Sequence, residues 1–101
     1  MKKNKQTNHL LIKGFLTFQI LHELRKKGLC GDELAKIIGK KKGSKLTPGT
    51  IYPALKYLRR KKLVSRKKNG RKKVYKLTEE GKKEYKIFRK NFLKMFKDIF
   101  K

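Results

Sequence analysis

The chain has 101 residues, which is enough for one domain with one hydrophobic core and too few for two. Its 32 Lys and Arg residues against 7 Asp and Glu residues give a net charge of +25 at pH 7, which favours a polyanionic partner. The single cysteine, Cys30, excludes an internal disulfide, and no apolar run approaches the roughly 18 residues of a membrane-spanning helix. Because the basic start of the chain lacks a signal-peptide cleavage site, we expect a cytoplasmic protein.

The first predicted element is a helix from His9 to Lys27, after a polar segment, residues 1–8, that we expect to be flexible. Gly28 follows three cations and is expected to end this helix. The apolar residues form two neighbouring stripes, so the helix is predicted to be buried on two sides. The stripes are Ile12, Leu16, Ile20 and Leu24, and Leu11, Phe15, Phe18 and Leu21.

A second, shorter helix follows an extended link formed by Leu29 and Cys30. Asp32 and Glu33 suit its first turn, where the helix dipole favours negative charge. Gly39 is the expected C-cap, and residues 39–46 are predicted to form a loop because they contain two glycines and four lysines.

The third predicted helix starts after Thr47, runs to about Lys61 and contains both prolines of the chain. Pro48 then lies at the first helical position, where its missing N–H costs nothing. Pro53 is unusual, since an interior proline costs on the order of 3 kcal/mol. We interpret it as shaping a tip that enters a groove of the partner, and a merely tolerated kink is the alternative. The buried face is predicted to be Ile51, Leu55 and Leu58.

Two strands, Leu63–Arg66 and Lys73–Leu77, are predicted to form a hairpin whose turn contains Asn69-Gly70, a dipeptide that favours positive φ angles. The order helix, short helix, helix, hairpin, long helix predicts a mainly helical α+β fold, a winged helix-turn-helix. We expect one domain over residues 1–101, and an unrelated small α+β domain is the alternative.

The last predicted helix covers residues 78–100, with Thr78 as its N-cap. Its apolar residues recur at steps of three and four but cover only about two heptads, too few to define a coiled coil. Because the apolar surface of the first and last helices exceeds what one small core can cover, we expect a homodimer built from both, although packing within one chain is the simpler alternative. The predicted interface residues are Leu11, Phe15, Phe18, Tyr85, Phe88, Phe92, Met95, Phe96 and Ile99.

Three segments resemble the PadR-like family of transcriptional regulators, which are winged-helix proteins. The run from Thr47 to Leu55 matches the family's Ser/Thr-Pro-Gly-Thr-hydrophobic-Tyr-Pro-Ala-Leu signature in the recognition helix. VYKLTEEG at residues 74–81 resembles the end of the wing, and ILHELRKKGLCGDELAKII at residues 20–38 resembles the first two helices. The chain departs from the family at Asp32, where Tyr is usual, and at Val74, where an aromatic is common.

The resemblance implies a short-tailed subgroup member that dimerises through its terminal helices. Many relatives are repressors that release DNA when a small molecule binds, but this sequence shows no identifiable ligand pocket. A repressor that binds double-stranded DNA as a homodimer is therefore the expected function, with no cofactor and any effector unknown.

The candidate DNA-binding residues lie at the start of the third helix, along its exposed side and at the wing. Gly49 lets a phosphate or base approach the backbone, and hydroxyl and basic side chains can bond to phosphates and base edges. The wing's charge run could also be only a solvated face. The candidates are Lys45, Thr47, Gly49, Thr50, Tyr52, Lys56, Arg59, Arg66, Lys67, Lys68, Asn69, Arg71 and Lys72.

The sequence shows no arrangement of residues typical of catalysis, so we do not expect an enzyme. His9 and His22 are too isolated to suggest a metal site, and Cys30 is more typical of a small buried residue than of a redox sensor. A sequence-nonspecific architectural or chromatin protein, an RNA- or ribosome-associated protein and a peripheral membrane binder remain as alternatives to a specific regulator.

Overall fold

A computed structural model of the chain describes residues 14–43 and 46–100, and it contains four helices and three strands in that part of the chain. The predicted mainly helical α+β fold is confirmed. In chain order the elements are α1 (residues 14–23), β1 (Leu29–Cys30), α2 (Gly31–Lys42), α3 (Pro48–Arg60), β2 (Val64–Asn69), β3 (Lys72–Leu77) and α4 (Glu79–Ile99).

The strands form one antiparallel sheet in the order β1-β3-β2. The link predicted at Leu29 and Cys30 is a short strand, because both residues are buried and pair with Tyr75 and Val74 of β3. The wing is therefore joined to the helical body by a third strand, which the sequence analysis did not include. β2 also extends to Asn69, beyond the predicted end at Arg66.

Two helix ends differ from the sequence prediction. Gly39 does not end α2, because it lies buried inside the helix, and the C-cap is Gly43. Gly43 has a φ of 72°, and its N–H reaches the carbonyls of Gly39 and Lys40, so the left-handed conformation that favours glycine occurs four residues later than expected. Likewise, α1 ends at residue 23 rather than at Lys27, and a turn follows.

The core lies between α1, α2, α3 and the sheet. On α3, Ile51, Leu55 and Leu58 are buried, as their spacing predicts, together with Ala54. At the end of β3, the start of α4 packs tightly on the connection between α3 and β2, where Gly81 lies against the Leu63 carbonyl. The fully buried side chains of largest volume are Ile20, Leu34, Ile38, Ile51, Leu55 and Leu58.

Candidate nucleic-acid interface

The first turn of α3 presents two hydroxyl groups to solvent. Thr47 occupies the N-cap position, and its carbonyl accepts the N–H groups of Thr50 and Ile51 at 3.0 and 3.1 Å. Its side chain makes no capping bond and lies 3.1 Å from the Thr50 hydroxyl instead. Because both threonines are exposed, this hydroxyl pair keeps bonding capacity for a phosphate or a base edge.

Open space surrounds the backbone between these hydroxyls. A Cβ added to Gly49 would find no atom nearer than the Thr47 hydroxyl, at 3.9 Å. Pro53, inside α3, has no N–H to offer the carbonyl of Gly49 four residues earlier. The tip therefore has accessible backbone and a carbonyl that lacks its usual helical donor.

Tyr52 links the tip of α3 to the start of α2. Its hydroxyl donates to the Asp32 carboxylate at 3.3 Å, and its ring covers Gly31 so closely that an added Cβ would lie 2.7–2.8 Å from ring atoms. Burial, and secondarily Asp32, raises the pKa of Tyr52 above its usual value. The side chain remains 42% exposed, so the hydroxyl is engaged within the protein while part of the ring faces solvent.

The wing is a hairpin of β2 and β3. Asn69 pairs with Lys72, so the two turn residues are Gly70 and Arg71, and Asn69 belongs to the strand. Gly70 alone of these two has a positive φ, 65°, which is the pattern of a type II′ turn with glycine at its first central position. The four-residue turn Asn69–Lys72 therefore contains the predicted Asn69-Gly70, and of this dipeptide Gly70 has the positive φ.

Among the described residues, no cation of the wing forms an ion pair with a carboxylate. Lys68 stands directly opposite Lys73, a cross-strand arrangement that is destabilising in isolation. The ion pairs among the described residues are Lys41–Glu23 and Lys82–Glu79, and neither touches α3 or the wing. An anionic partner would relieve this repulsion.

The tip of α3 and the turn of the wing meet at one cavity of about 330 Å³. Tyr52 lines it from α3, Asp32 from α2, and Arg71 and Lys72 from the wing. The two predicted regions are therefore neighbours, and Tyr52, Arg71 and Lys72 form one continuous surface around the cavity. The candidates that are exposed to solvent are Thr47, Gly49, Thr50, Tyr52, Lys56, Arg59, Arg66, Lys67, Lys68, Asn69, Arg71 and Lys72, whereas Lys45 lies outside the described residues.

Sequence reasoning missed three contributors to this surface. Asp32 and Gly31 hold Tyr52, and Lys73 adds an exposed cation opposite Lys68. A glycine directly before an acidic helix start was visible in the sequence. Its contact with a tyrosine some twenty residues away was not.

The predicted dimer residues fall into two groups. Tyr85 is only 6% exposed and bonds to His22 Nδ1 at 2.7 Å, so it lies in the core of its own protomer and offers little surface to a partner. Phe18 stacks on Tyr85, Phe88 and Phe92, with ring centroids 5.3–5.6 Å apart, which joins α1 to α4 within the chain. The most exposed members are Phe15, Phe88, Met95, Phe96 and Ile99, and Leu11 lies outside the described residues.

Within residues 14–43 and 46–100, no helix combines the length and apolar character needed to cross a bilayer. No group of three or more His, Cys, Asp or Glu side chains in the same ranges is placed to hold a metal ion. Cys30 is a buried free thiol in β1.

Comparisons with known proteins agree with this geometry. The model of the transcriptional regulator PadR-like family matches residues 20–87. A PadR family transcription regulator from hypervirulent Clostridium difficile is 32% identical over 85% of this chain and 97% of its own, with a TM-score of 0.69. A PadR-like transcription factor from Bacteroides fragilis shares the fold, with a TM-score of 0.82 over 93% of this chain and 95% of its own at 21% identity.

A third similar structure contains nucleic acid. Bacillus subtilis PadR, solved in complex with operator DNA, is 28% identical over 73% of this chain and 45% of its own, with a TM-score of 0.64. No curated protein matches the chain. The structural similarities confirm the winged-helix fold.

Proposed function

Because the chain belongs to the PadR-like family of DNA-binding transcriptional regulators, we propose that it is a sequence-specific repressor that binds a pseudo-palindromic operator as a homodimer. Family membership also confirms that the chain is not an enzyme. Within this proposal the protein acts in the cytoplasm, α3 enters the major groove, and the wing holds the flanking backbone. Two-fold symmetry then requires two half-sites about one helical turn, or a multiple of it, apart.

The observation that carries the DNA-binding mode is the continuity of the tip of α3 with the wing. Tyr52 and Arg71 line the same cavity, so a duplex that meets Thr50 also meets the cations of the hairpin. The complex of Bacillus subtilis PadR with operator DNA supports the same use of this fold. The sequence-nonspecific alternative predicts the same charge but no discrimination among duplexes.

The exposed groups suggest a division of roles within this surface. The Thr50 hydroxyl and the open backbone at Gly49 are suited to base edges, since they combine small size with bonding capacity. Arg71 and Lys68 are suited to phosphates, because long cations on a hairpin reach the backbone without reading bases. Tyr52 has a positioning role in this scheme, because Asp32 already engages its hydroxyl.

The first experiment selects bound DNA from a random duplex pool and then titrates protein variants on the selected and scrambled sequences. Thr50→Ala should reduce discrimination by about 1–3 kcal/mol at the affected base pair. Arg71→Ala should reduce the affinity for both duplexes equally, and it should lower the slope of log affinity against log salt concentration by roughly one unit. If selection enriches no motif, the regulator is not sequence-specific, and a motif without an inverted repeat contradicts binding as a symmetric dimer. Equal losses on both duplexes for Thr50→Ala contradict its role in base reading.

The dimer is proposed from apolar surface that α4 leaves exposed. The side chains of Met95 and Ile99 are 62% and 69% exposed to solvent. Together with the other exposed apolar residues of α4 they form an apolar patch, which is typical of a protein–protein interface. Met95→Asp should give a folded monomer, because a charge buried in a dimer interface is poorly solvated. Lys90→Asp, five residues away and about 140° from Met95 around α4, is the control and should remain dimeric in sedimentation. A Met95→Asp dimer of undiminished affinity would place the interface elsewhere.

A further inference from the structure

A second basic surface lies along α4, away from the wing turn and the tip of α3. It borders a groove of about 880 Å³ that begins between Arg25, after α1, and Leu77, at the end of β3. Leu93 and Tyr85 contribute apolar floor. The cations that α4 supplies are Lys82, Lys86, Arg89, Lys90, Lys94 and Lys97.

These cations form a row along one side of α4. Lys82 and Lys97 are fifteen positions apart, which corresponds to about 22 Å along a helix that rises 1.5 Å per residue. A positive side chain occurs every three or four residues over that length, so the row follows one face of α4. A linear partner with regularly repeated negative charge fits such a row.

The charge of this face is almost unneutralised. Within the described residues, the acid paired with one of these cations is Glu79, which lies 3.3 Å from the Lys82 ammonium at the groove's end. Like charges at helical neighbours, as in Lys86 and Lys90, oppose each other. Binding of an anion would reduce this electrostatic repulsion. The chain has only 7 Asp and Glu residues against 32 Lys and Arg residues, so an external anion is needed.

The row is separate from both surfaces already assigned. β3 has six residues, about 20 Å at 3.3 Å per residue, so its end at Leu77 lies far from the wing turn. Around α4, Lys90 and Phe92 are two residues, or about 160°, apart, so the middle of the basic face points away from Phe92, whereas Arg89 lies nearer, about 60° from it. A dimer formed through the aromatic face leaves the basic face available.

We propose that the basic face of α4 binds a second segment of duplex DNA, so that the protein bridges two segments. Over 22 Å a DNA strand presents about six phosphates, one per 3.4 Å of axis, which is comparable to the number of cations in the row. The row holds no acid or amide that would select a particular acidic peptide. When the protein is bound to an operator, the DNA that continues from that operator is held near the basic face of α4 at a high local concentration. This inference rests on the proposed function, since the first segment is the one held by α3 and the wing.

The test captures a second duplex on a first. An operator duplex is immobilised and saturated with full-length protein, and a labelled duplex without an operator is then added across a salt series. Lys86→Glu/Lys90→Glu should bind the immobilised operator but capture the second duplex at least tenfold less than wild type. Its salt slope for capture should fall by about two units. Lys36→Glu/Lys40→Glu, an exposed lysine pair with the same spacing on α2, is the control and should still capture.

Each outcome decides a separate point. Capture by Lys86→Glu/Lys90→Glu at the wild-type level, or no capture by wild type, overturns the α4 surface while leaving operator binding intact. Loss of binding to the immobilised operator by wild type refutes the proposed function instead. Polyglutamate that displaces the second duplex at lower charge concentration than competitor duplex would assign the face to acidic protein. Should the double variant fail to fold, Arg89→Gln/Lys94→Gln repeats the comparison without adding negative charge.

Discussion

Replacing Gly81 with alanine tests whether the start of α4 is fixed against the α3–β2 connection. A Cβ at this position would overlap the Leu63 carbonyl oxygen, lie 3.0 Å from its carbon and lie 3.1 Å from Leu77 Cδ2. The same carbonyl accepts the N–H of Thr78 at 3.1 Å, and the Thr78 hydroxyl donates to the Lys62 carbonyl at 2.7 Å. Because the obstruction is backbone, no rotamer change relieves it, and these hydrogen bonds must shift.

The expected loss combines these terms. Overpacking costs roughly 1–3 kcal/mol and two weakened hydrogen bonds cost about 1 kcal/mol each. Alanine returns up to about 1 kcal/mol through its higher helix propensity. The free energy of unfolding should therefore fall by about 2–4 kcal/mol, or roughly 10–30 °C in Tm for a domain of this size. Urea unfolding followed by circular dichroism measures the change, with an unaltered m-value.

Gly49→Ala is the matched control for Gly81→Ala. Both glycines lie in the first turn of a helix, but the nearest atom to a Cβ at Gly49 is 3.9 Å away. The free energy of unfolding of the Gly49→Ala variant should rise by about 0.4–1 kcal/mol, because alanine has fewer conformations than glycine in the unfolded chain. A Gly81→Ala protein with the wild-type urea midpoint would show that the contact between α4 and Leu63 is not tight in solution.

Three further substitutions test local features. Burial, followed by Arg25, lowers the pKa of His22 below 6.5, so the fold prefers neutral His22. The contribution of His22 to stability should therefore be fully present above pH 6.5 and be lost as the pH falls through the lowered pKa. His22→Gln should flatten the plot of urea midpoint against pH in this range. An unchanged pH dependence in the variant would contradict the assignment to His22. Gly31→Ala should displace the Tyr52 ring, break its hydrogen bond and reduce operator affinity about fivefold, whereas wild-type affinity would show that the ring position is immaterial. Lys62 has a φ of 61°, so Lys62→Gly should stabilise the chain by about 1 kcal/mol in urea unfolding, and a lower midpoint would refute strain there.

The third helix was well predicted because its signals are local. Thr47 and Pro48 define its start, and the spacing of Ile51, Leu55 and Leu58 defines its buried face, so the helix ends at Arg60, one residue from the expected end. None of these signals needs information from another part of the chain. The same is true of Thr78, whose hydroxyl accepts the Gly81 N–H as an N-cap should.

The errors arose where two local signals compete or where a distant contact decides. Gly39 and Gly43 are both possible helix ends, and only the positive φ of Gly43 distinguishes them. Leu29 and Cys30 become a strand only because β3 lies beside them. The contact of Tyr52 with Gly31 and Asp32, and the groove along α4, likewise depend on tertiary packing, so periodicity alone could not reveal them.

The same two packing points tie the proposed DNA surfaces to one small core. Tyr52 couples the tip of α3 to α2 beside the wing turn, so the position of the tip depends on Gly31 having no side chain. At the opposite end of β3, Thr78 and Gly81 clamp the start of α4 to the connection that leaves α3. Strain at the Gly31 contact would tilt the tip of α3 relative to the wing. Strain at the Gly81 contact would tilt α4 relative to both α3 and the wing. Substitutions at Gly31 should therefore act chiefly on operator binding, whereas substitutions at Gly81 should affect stability, operator binding and DNA bridging together.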